Sequence, residues 1–185
     1  MGLDAHLLSD LYGGVEFVRR ELKVPVFDIV GDATEVEHQR QDVSSVYLYW
    51  APHPRWAFGA RYEYEEIKQK ETQFQPGPEK LETMTVPLTV RYFDPLGFFA
   101  VFGTSYLRQK VHQPLESDHG TEDVVLLDAA VGYRLPKRLG VVSLEVNNVL
   151  NQDFNYEDIN FFTNEVRNPQ FIPERTILAK ATLNF

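Results

Sequence analysis

The last thirteen residues of the chain alternate between apolar and polar side chains, and this pattern restricts the fold more than any other feature. In residues 173–185 one set of alternate positions is apolar: Ile177, Ala179, Ala181, Leu183 and Phe185. The positions between them include Thr176, Lys180, Thr182 and Asn184. Because side chains of a β-strand point alternately to its two faces, the segment predicts a strand between an apolar and a polar environment. An edge strand of a soluble sandwich has the same pattern.

Seven further segments have strand character, and no convincing helix separates them. The eight candidates cover about 11–22, 40–51, 55–69, 81–93, 97–111, 122–135, 139–150 and 172–185. The third is the clearest, since Trp56, Phe58 and Ala60 alternate with Ala57, Gly59 and Arg61. Residues 43–51 are apolar at both sets of positions, so neither face can be assigned. Pro87 has no backbone N–H to donate to a neighbouring strand, so a β-bulge is predicted there.

The connections between the candidate strands alternate in length. Residues 52–55, 94–97 and 136–140 are short and rich in residues that favour turns, whereas 23–39, 70–80, 112–121 and 151–171 are long and acidic. This asymmetry is typical of outer-membrane barrels, which have short periplasmic turns and long external loops. Aromatic residues flank the short turns and predict one interfacial girdle: Tyr49, Trp50, Trp56, Tyr92, Phe93, Phe98, Phe99 and Tyr133.

Composition excludes several other classes of protein. The chain has no cysteine and no run approaching the roughly 20 apolar residues of a membrane-spanning helix. Its net charge of −9 argues against nucleic-acid binding. The first residues do not resemble a secretory signal, and Leu3, Leu7 and Leu8 have helix-like spacing. We therefore expect residues 1–10 to be an N-terminal linker or an expression remnant, and residues 11–185 to be the barrel.

Two motifs near the C-terminus resemble TonB-dependent outer-membrane receptors. Residues 148–154 resemble that family's Asn-Leu-Phe-Asp-Lys-Tyr-like element, and Pro173 with Arg175 resembles the Pro-Arg-like pair that introduces its final strand. The resemblance covers about residues 122–185. It implies a location in the bacterial outer membrane, contact with outer-membrane lipid, and passage or binding of a small solute. It also implies that the terminal strand ending on Phe185 is recognised by the barrel-assembly machinery.

The chain departs from the receptor family in carrying no plug domain and no energy-coupling box. It is therefore expected to be either the C-terminal part of a larger barrel or a complete transmembrane β-barrel of about eight antiparallel up-and-down strands. In the second case the chain would act as a structural anchor for a periplasmic or surface partner. Eight strands leave an interior that side chains fill.

Alternation also predicts which charged side chains face the interior. The predicted lumen-facing set contains charges of both signs: Arg61, Glu63, Glu65, Arg91, Asp128, Arg134, Glu145 and Lys180. They are expected to pair across a small interior or to line a wider channel. The solvated face of an open sheet is the simpler interpretation.

Catalytic chemistry has little support in the sequence. His112, Ser117, Asp118 and His119 lie near one another in a polar connection, but they match no standard catalytic or metal-binding spacing. We expect no enzyme activity, no metal and no cofactor. The connection 151–171 instead carries aromatic residues that are predicted to contact a ligand or partner, or to close the barrel mouth: Phe154, Tyr156, Phe161 and Phe162.

Overall fold

The structure is a computed structural model that describes residues 1–27, 34–69, 79–112, 120–153 and 174–184. These residues form one nine-stranded sheet in which each strand pairs antiparallel with the next along the chain. The strands are β1 (Gly2–Leu8), β2 (Leu11–Phe27), β3 (Thr34–His53), β4 (Trp56–Gln69), β5 (Lys80–Phe93), β6 (Phe98–His112), β7 (Thr121–Leu135), β8 (Gly140–Asn147) and β9 (Thr176–Leu183). The predicted all-β, antiparallel up-and-down arrangement is confirmed.

The sheet is open along its two edge strands. Within the described part of the chain, β1 pairs only with β2 and β9 pairs only with β8. The sheet has nine strands rather than the eight that the sequence predicts, since β1 adds one at the N-terminal edge. Closure into a transmembrane barrel therefore stays a prediction.

β1 was not anticipated from the sequence. Residues 1–10 were expected to be a linker or remnant, and the leucine spacing favoured a helix. The structure instead pairs Leu3 with Val15 and Ala5 with Gly13 along the edge of β2. Hydrogen bonding to a neighbouring strand thus overrides the local spacing, and the sheet begins at Gly2.

Two other expectations about the strands were wrong. The predicted connection 23–39 is mostly strand, because β2 continues to Phe27 and β3 begins at Thr34. Pro87 does not produce a bulge. The register of β4 against β5 is the same on both sides of Pro87, as the pairs Ala60–Leu88 and Glu63–Thr85 show. Arg61 and Tyr62 have no β5 partner in that ladder.

The connections alternate in length, as predicted, so all the short turns lie at one end of the sheet. The turn between β5 and β6 shows how sequence determines them. The Asp94 carboxylate accepts a hydrogen bond of 2.8 Å from the Leu96 amide, and Gly97 adopts a φ of 105° that disfavours other residues. We call the two ends of the sheet the turn end and the loop end.

The register aligns the alternating apolar positions of neighbouring strands on one face of the sheet. Residues directly opposite each other in neighbouring strands point to the same side of a sheet. Trp56, Phe58 and Ala60 of β4 thus share a face with Tyr92, Val90 and Leu88 of β5. We call this the band face and the opposite one the polar face. Register also orients β3, which the sequence left open: Val46, Leu48 and Trp50 lie on the band face.

Candidate functional site: an exposed apolar band and the polar face behind it

The distribution of burial is the reverse of that in a water-soluble sheet. The side chains of β3 to β7 that are buried all lie on the polar face, and most are polar: Gln39, Gln41, Ser45, Ile67, Leu81, Thr83, Gln109 and Val124. On the band face, large apolar side chains remain exposed, with Val131 at 58% and Ile177 at 65%. A contiguous exposed apolar surface of this size marks contact with a partner or a membrane.

The exposed band has a similar height on each of the central strands. The charge-free segments of the band face are residues 56–64, 84–92 and 98–106 on β4 to β6, each nine residues long, and residues 125–135 on β7, eleven residues long. A tilted strand needs about 9–11 residues to cross the apolar layer of a membrane. The band therefore matches that layer in height as well as in chemistry.

Aromatic side chains line the turn end of the band. The ring centroids of Trp56 and Tyr92 are 4.9 Å apart, and those of Phe98 and Tyr133 are 4.7 Å apart. This row agrees with part of the predicted girdle. The girdle prediction was wrong for Tyr49, Phe93 and Phe99, which the register places on the polar face. Sequence position near a turn could not distinguish band-face from polar-face aromatics, because the face on which a side chain lies depends on the register of its strand.

Tyrosines and ion pairs line the loop end of the band. The hydroxyl of Tyr64 donates to Glu82 Oε1 at 2.8 Å, and that of Tyr106 donates to Asp123 Oδ1 at 2.7 Å. Beyond them, a row of charged side chains crosses β2 to β7 on the same face. We call it the ion-pair belt, and it consists of Arg19, Arg40, Asp42, Glu66, Lys68, Lys80, Glu82, Arg108, His112 and Asp123.

The belt carboxylates are held by short ion pairs. Asp42 accepts from Arg19 at 2.6 Å and from Arg40 at 2.9 Å. Lys80 lies between two acids, with its Nζ 2.8 Å from Glu66 and 2.5 Å from Glu82. The Lys80 ammonium holds the pKa of the Glu82 carboxyl well below its usual range, because it hydrogen-bonds to the charged form. The Glu82 carboxylate therefore stays ionised at neutral pH.

Sequence reasoning missed the belt, although a signal was present. Charged residues recur two positions apart where each apolar alternation ends, at 40 and 42, 66 and 68, 80 and 82, and 108 and 110. That spacing continues the band face into a charged zone, since residues two apart lie on one side of a strand. The sequence interpretation placed these positions in strand ends and acidic loops.

The eight predicted lumen-facing residues all lie on the polar face, and the structure pairs four of them. Lys180 Nζ lies 2.6 Å from Glu145 Oε2, and Arg61 Nε lies 3.6 Å from Glu63 Oε2. The other four are held separately. Glu65 accepts a hydrogen bond from Gln41, and Asp128 accepts one of 2.9 Å from the Asn148 amide. The Arg134 guanidinium lies 5.0 Å from the centre of the Phe93 ring. Arg91 lines a small cleft together with Tyr12, Tyr49 and Thr89. Their role in lining a lumen stays a prediction.

Aromatic side chains cover glycines on the polar face. Tyr47 lies over its cross-strand neighbour Gly14, and Phe99 lies over Gly132. A Cβ atom on Gly132 would be 2.3 Å from Phe99 Cζ. These contacts explain why β3 is apolar on both faces, since Tyr47 and Tyr49 pack against glycines rather than face the exposed side.

The receptor-like element at 148–154 begins with a tight turn around a buried asparagine. Asn148 Nδ2 donates to the Gln152 carbonyl at 2.9 Å, and the Gln152 amide donates back to Asn148 Oδ1 at 2.9 Å. Asn148 has a φ of 50°, and Asn151, with a φ of 53°, accepts from the Arg175 amide at 2.9 Å. Asparagine tolerates this backbone region better than most residues. The turn thus ties the end of β8 to the start of β9.

Replacing Asn148 with alanine should destabilise the sheet by roughly 1–3 kcal/mol, because two hydrogen bonds of a buried group are lost and the backbone is strained. Asn148→Gly separates the two causes, since glycine accepts the positive φ but cannot make the bonds. Equilibrium unfolding in detergent would measure both variants. Equal stability of Asn148→Ala and the wild type would show that the turn contributes nothing.

Several predicted site residues lie outside the described part of the chain. These are Phe154, Tyr156, Phe161, Phe162 and Phe185, together with Ser117, Asp118 and His119. His112 is described and lies in the ion-pair belt, where its Nε2 is 3.2 Å from Glu82 Oε2. Among the described residues, no group of three His, Cys, Asp or Glu side chains could hold a metal ion.

In the described residues no helix is both long and apolar enough to cross a membrane. No protein family, curated protein or solved structure matches the chain. The resemblance to TonB-dependent receptors therefore rests on the sequence motifs alone.

Proposed function

We propose that the chain is the membrane-spanning sheet of a bacterial outer-membrane β-barrel, and that the barrel binds or passes a small solute. The observation that carries this proposal is the exposed, charge-free band, nine to eleven residues tall on each of β4 to β7. Neighbouring strands pair with the backbone along that band, except where Arg61 and Tyr62 lack a partner in β5. Backbone pairing of this kind is the condition for crossing a bilayer without helices. The mixed charges of the polar face would line the interior and interact with the solute.

The two tryptophans allow a direct test of membrane insertion. The chain has only Trp50 and Trp56, and both lie on the band face at the turn end. We expect lipids brominated near the headgroup to quench their fluorescence more than lipids brominated near the chain ends, because interfacial aromatics sit at headgroup level. Absence of quenching by either lipid in reconstituted vesicles would contradict the proposal.

Strand direction favours a larger barrel over a small closed anchor. Each strand is antiparallel to the next, so the first and ninth strands run in the same direction. Direct pairing of β1 with β9 would have to be parallel, whereas bacterial barrels of a single chain have an even number of antiparallel strands. Antiparallel closure needs an odd number of further strands between β9 and β1. We propose that an additional segment or partner supplies them, so that the described sheet is one sector of a receptor-like or channel-like barrel.

Closure can be tested by gel mobility before and after heating, since closed barrels resist SDS until heated. The full chain is expected to show no heat-dependent shift. A variant lacking residues 1–10 retains eight strands, whose edges β2 and β9 run antiparallel and are free to pair. This variant is expected to gain the shift. A shift in the full chain would instead support the complete small barrel that acts as an anchor.

A further inference from the structure

The part of the ion-pair belt on β2 to β5 presents cations outward, even though the belt contains nearly as many acids as bases. The carboxylate side chains of Asp42, Glu66 and Glu82 are each less than a fifth exposed. The cations that cover them remain open to the surroundings: Arg19 is 50% exposed, Arg40 44% and Lys68 53%. Around these three carboxylates the positive charges lie outermost and attract anions, whereas Asp123 at 49% and Glu21 opposite Arg40 are themselves exposed.

The position of the belt limits which anions it can meet. It lies on the band face, directly beyond Tyr64 and Tyr106 at the loop end of the apolar band. If the band lies in the apolar layer of a bilayer, the belt begins two residues further along each of β4 to β7, at the level of the headgroups. Negatively charged headgroup phosphates are the anions found at that level.

The exposed cations of the belt have the opposite sign to the net charge of the chain. The net charge is −9, and long-range attraction of anions is therefore not expected from the molecule as a whole. A row of half-exposed guanidinium and ammonium groups in such a chain acts only over short distances, since solvent ions screen charges within about 10 Å at ordinary ionic strength. An anion can therefore bind there only if contact between the apolar band and a membrane already holds it nearby.

We propose that the ion-pair belt binds the phosphate groups of anionic membrane lipids that surround the apolar band. Arg19 and Arg40 around Asp42 form one contact region, and Lys68 with Lys80 around Glu66 forms a second. In the first region two arginines share one carboxylate, so one of them is available to a phosphate. In the second region Lys80 is shared between Glu66 and Glu82, and Lys68, which is 53% exposed, is the cation that a phosphate can reach. This inference rests on the proposed membrane location of the band.

The test removes one cation from each region and leaves each carboxylate paired. In Arg40→Gln/Lys68→Gln, Asp42 keeps Arg19 and Glu66 keeps Lys80, so the sheet should fold normally. The control Arg40→Lys/Lys68→Arg keeps both charges at the same positions. Each protein is reconstituted with equal amounts of phosphatidylglycerol and phosphatidylcholine and then extracted in detergent, and the retained lipids are quantified by mass spectrometry.

The wild type and the control are expected to retain phosphatidylglycerol preferentially, and high salt should weaken the preference. The double Gln variant should lose roughly fivefold in preference for each charge removed. Tryptophan quenching by brominated lipid should be the same in all three proteins. Normal quenching without a preference for phosphatidylglycerol in the wild type, or with an unchanged preference in the double variant, would overturn the belt inference alone. Absence of quenching would overturn both the inference and the proposed function.

Discussion

Placing arginine at Leu88 should lower the free energy of unfolding in lipid by about 2–4 kcal/mol, the cost of a cation near the bilayer midplane. Leu88 lies at the centre of the charge-free segment 84–92 and is 45% exposed. In a water-soluble sheet, an exposed position of this kind would accept arginine with little change in stability. Chemical denaturation of the variant in vesicles therefore separates a membrane band from an ordinary surface.

Two further arginine variants test how the destabilisation depends on depth in the band and on the face of the sheet. Val131→Arg, nearer the turn end of the band, should cost less than Leu88→Arg because the penalty falls toward the interface. Ala130→Arg puts the same charge on the polar face, directly opposite Glu145 in β8, and should be tolerated. Equal effects of Val131→Arg and Ala130→Arg would show that the two faces do not differ in environment.

Adding a methyl group at Gly132 should destabilise the sheet by roughly 1–3 kcal/mol, the usual cost of overpacking. The new Cβ would lie 2.3 Å from Phe99 Cζ and 2.7 Å from the Val142 carbonyl oxygen. The second of these contacts is with backbone, so rotation of the Phe99 ring cannot relieve it. Equilibrium unfolding of Gly132→Ala in detergent measures the effect.

Gly103 provides a matched control on the same face of the sheet. A Cβ there would be 3.8 Å from Asp128 Cβ, an ordinary contact distance. Gly103→Ala is expected to be neutral or slightly stabilising, because alanine reduces the conformational freedom of the unfolded chain. If Gly103→Ala proved as harmful as Gly132→Ala, the cause would be the loss of glycine itself rather than the contact with Phe99.

Much of the fold could be predicted because its apolar and polar residues alternate strictly. Segments such as 56–64 and 125–133 have one apolar face each, so their strands and orientation follow from a period of two. The turns at 94–97 and 136–140 follow from Pro, Asp and Gly. The extensions of β2 and β3 toward residues 27 and 34 were missed, since their side chains show no clear alternation of hydrophobicity.

The candidate site was predicted less completely. Alternation placed the eight charged residues on one face. It could not indicate that Lys180 of β9 pairs with Glu145 of the neighbouring strand β8. It also did not reveal the cross-strand contacts of the ion-pair belt, such as those of Arg19 with Asp42 and of Lys80 with Glu66. Such partners are chosen by cross-strand register, which a one-residue shift would reverse.

The sequence by itself determined that the chain forms strands, that short turns and long connections alternate, and that an apolar face is separated from a charged one. These properties depend on neighbouring residues and on the two-residue period of a strand. Only the tertiary structure decided the orientation of β3, the membership of β1 and the parallel direction of the two edge strands. Tyr47 lies on the polar face, where it packs over Gly14 in the neighbouring strand, and β1 is a strand because β2 offers it backbone hydrogen bonds. Both outcomes depend on residues that are distant in the sequence and adjacent only in the sheet.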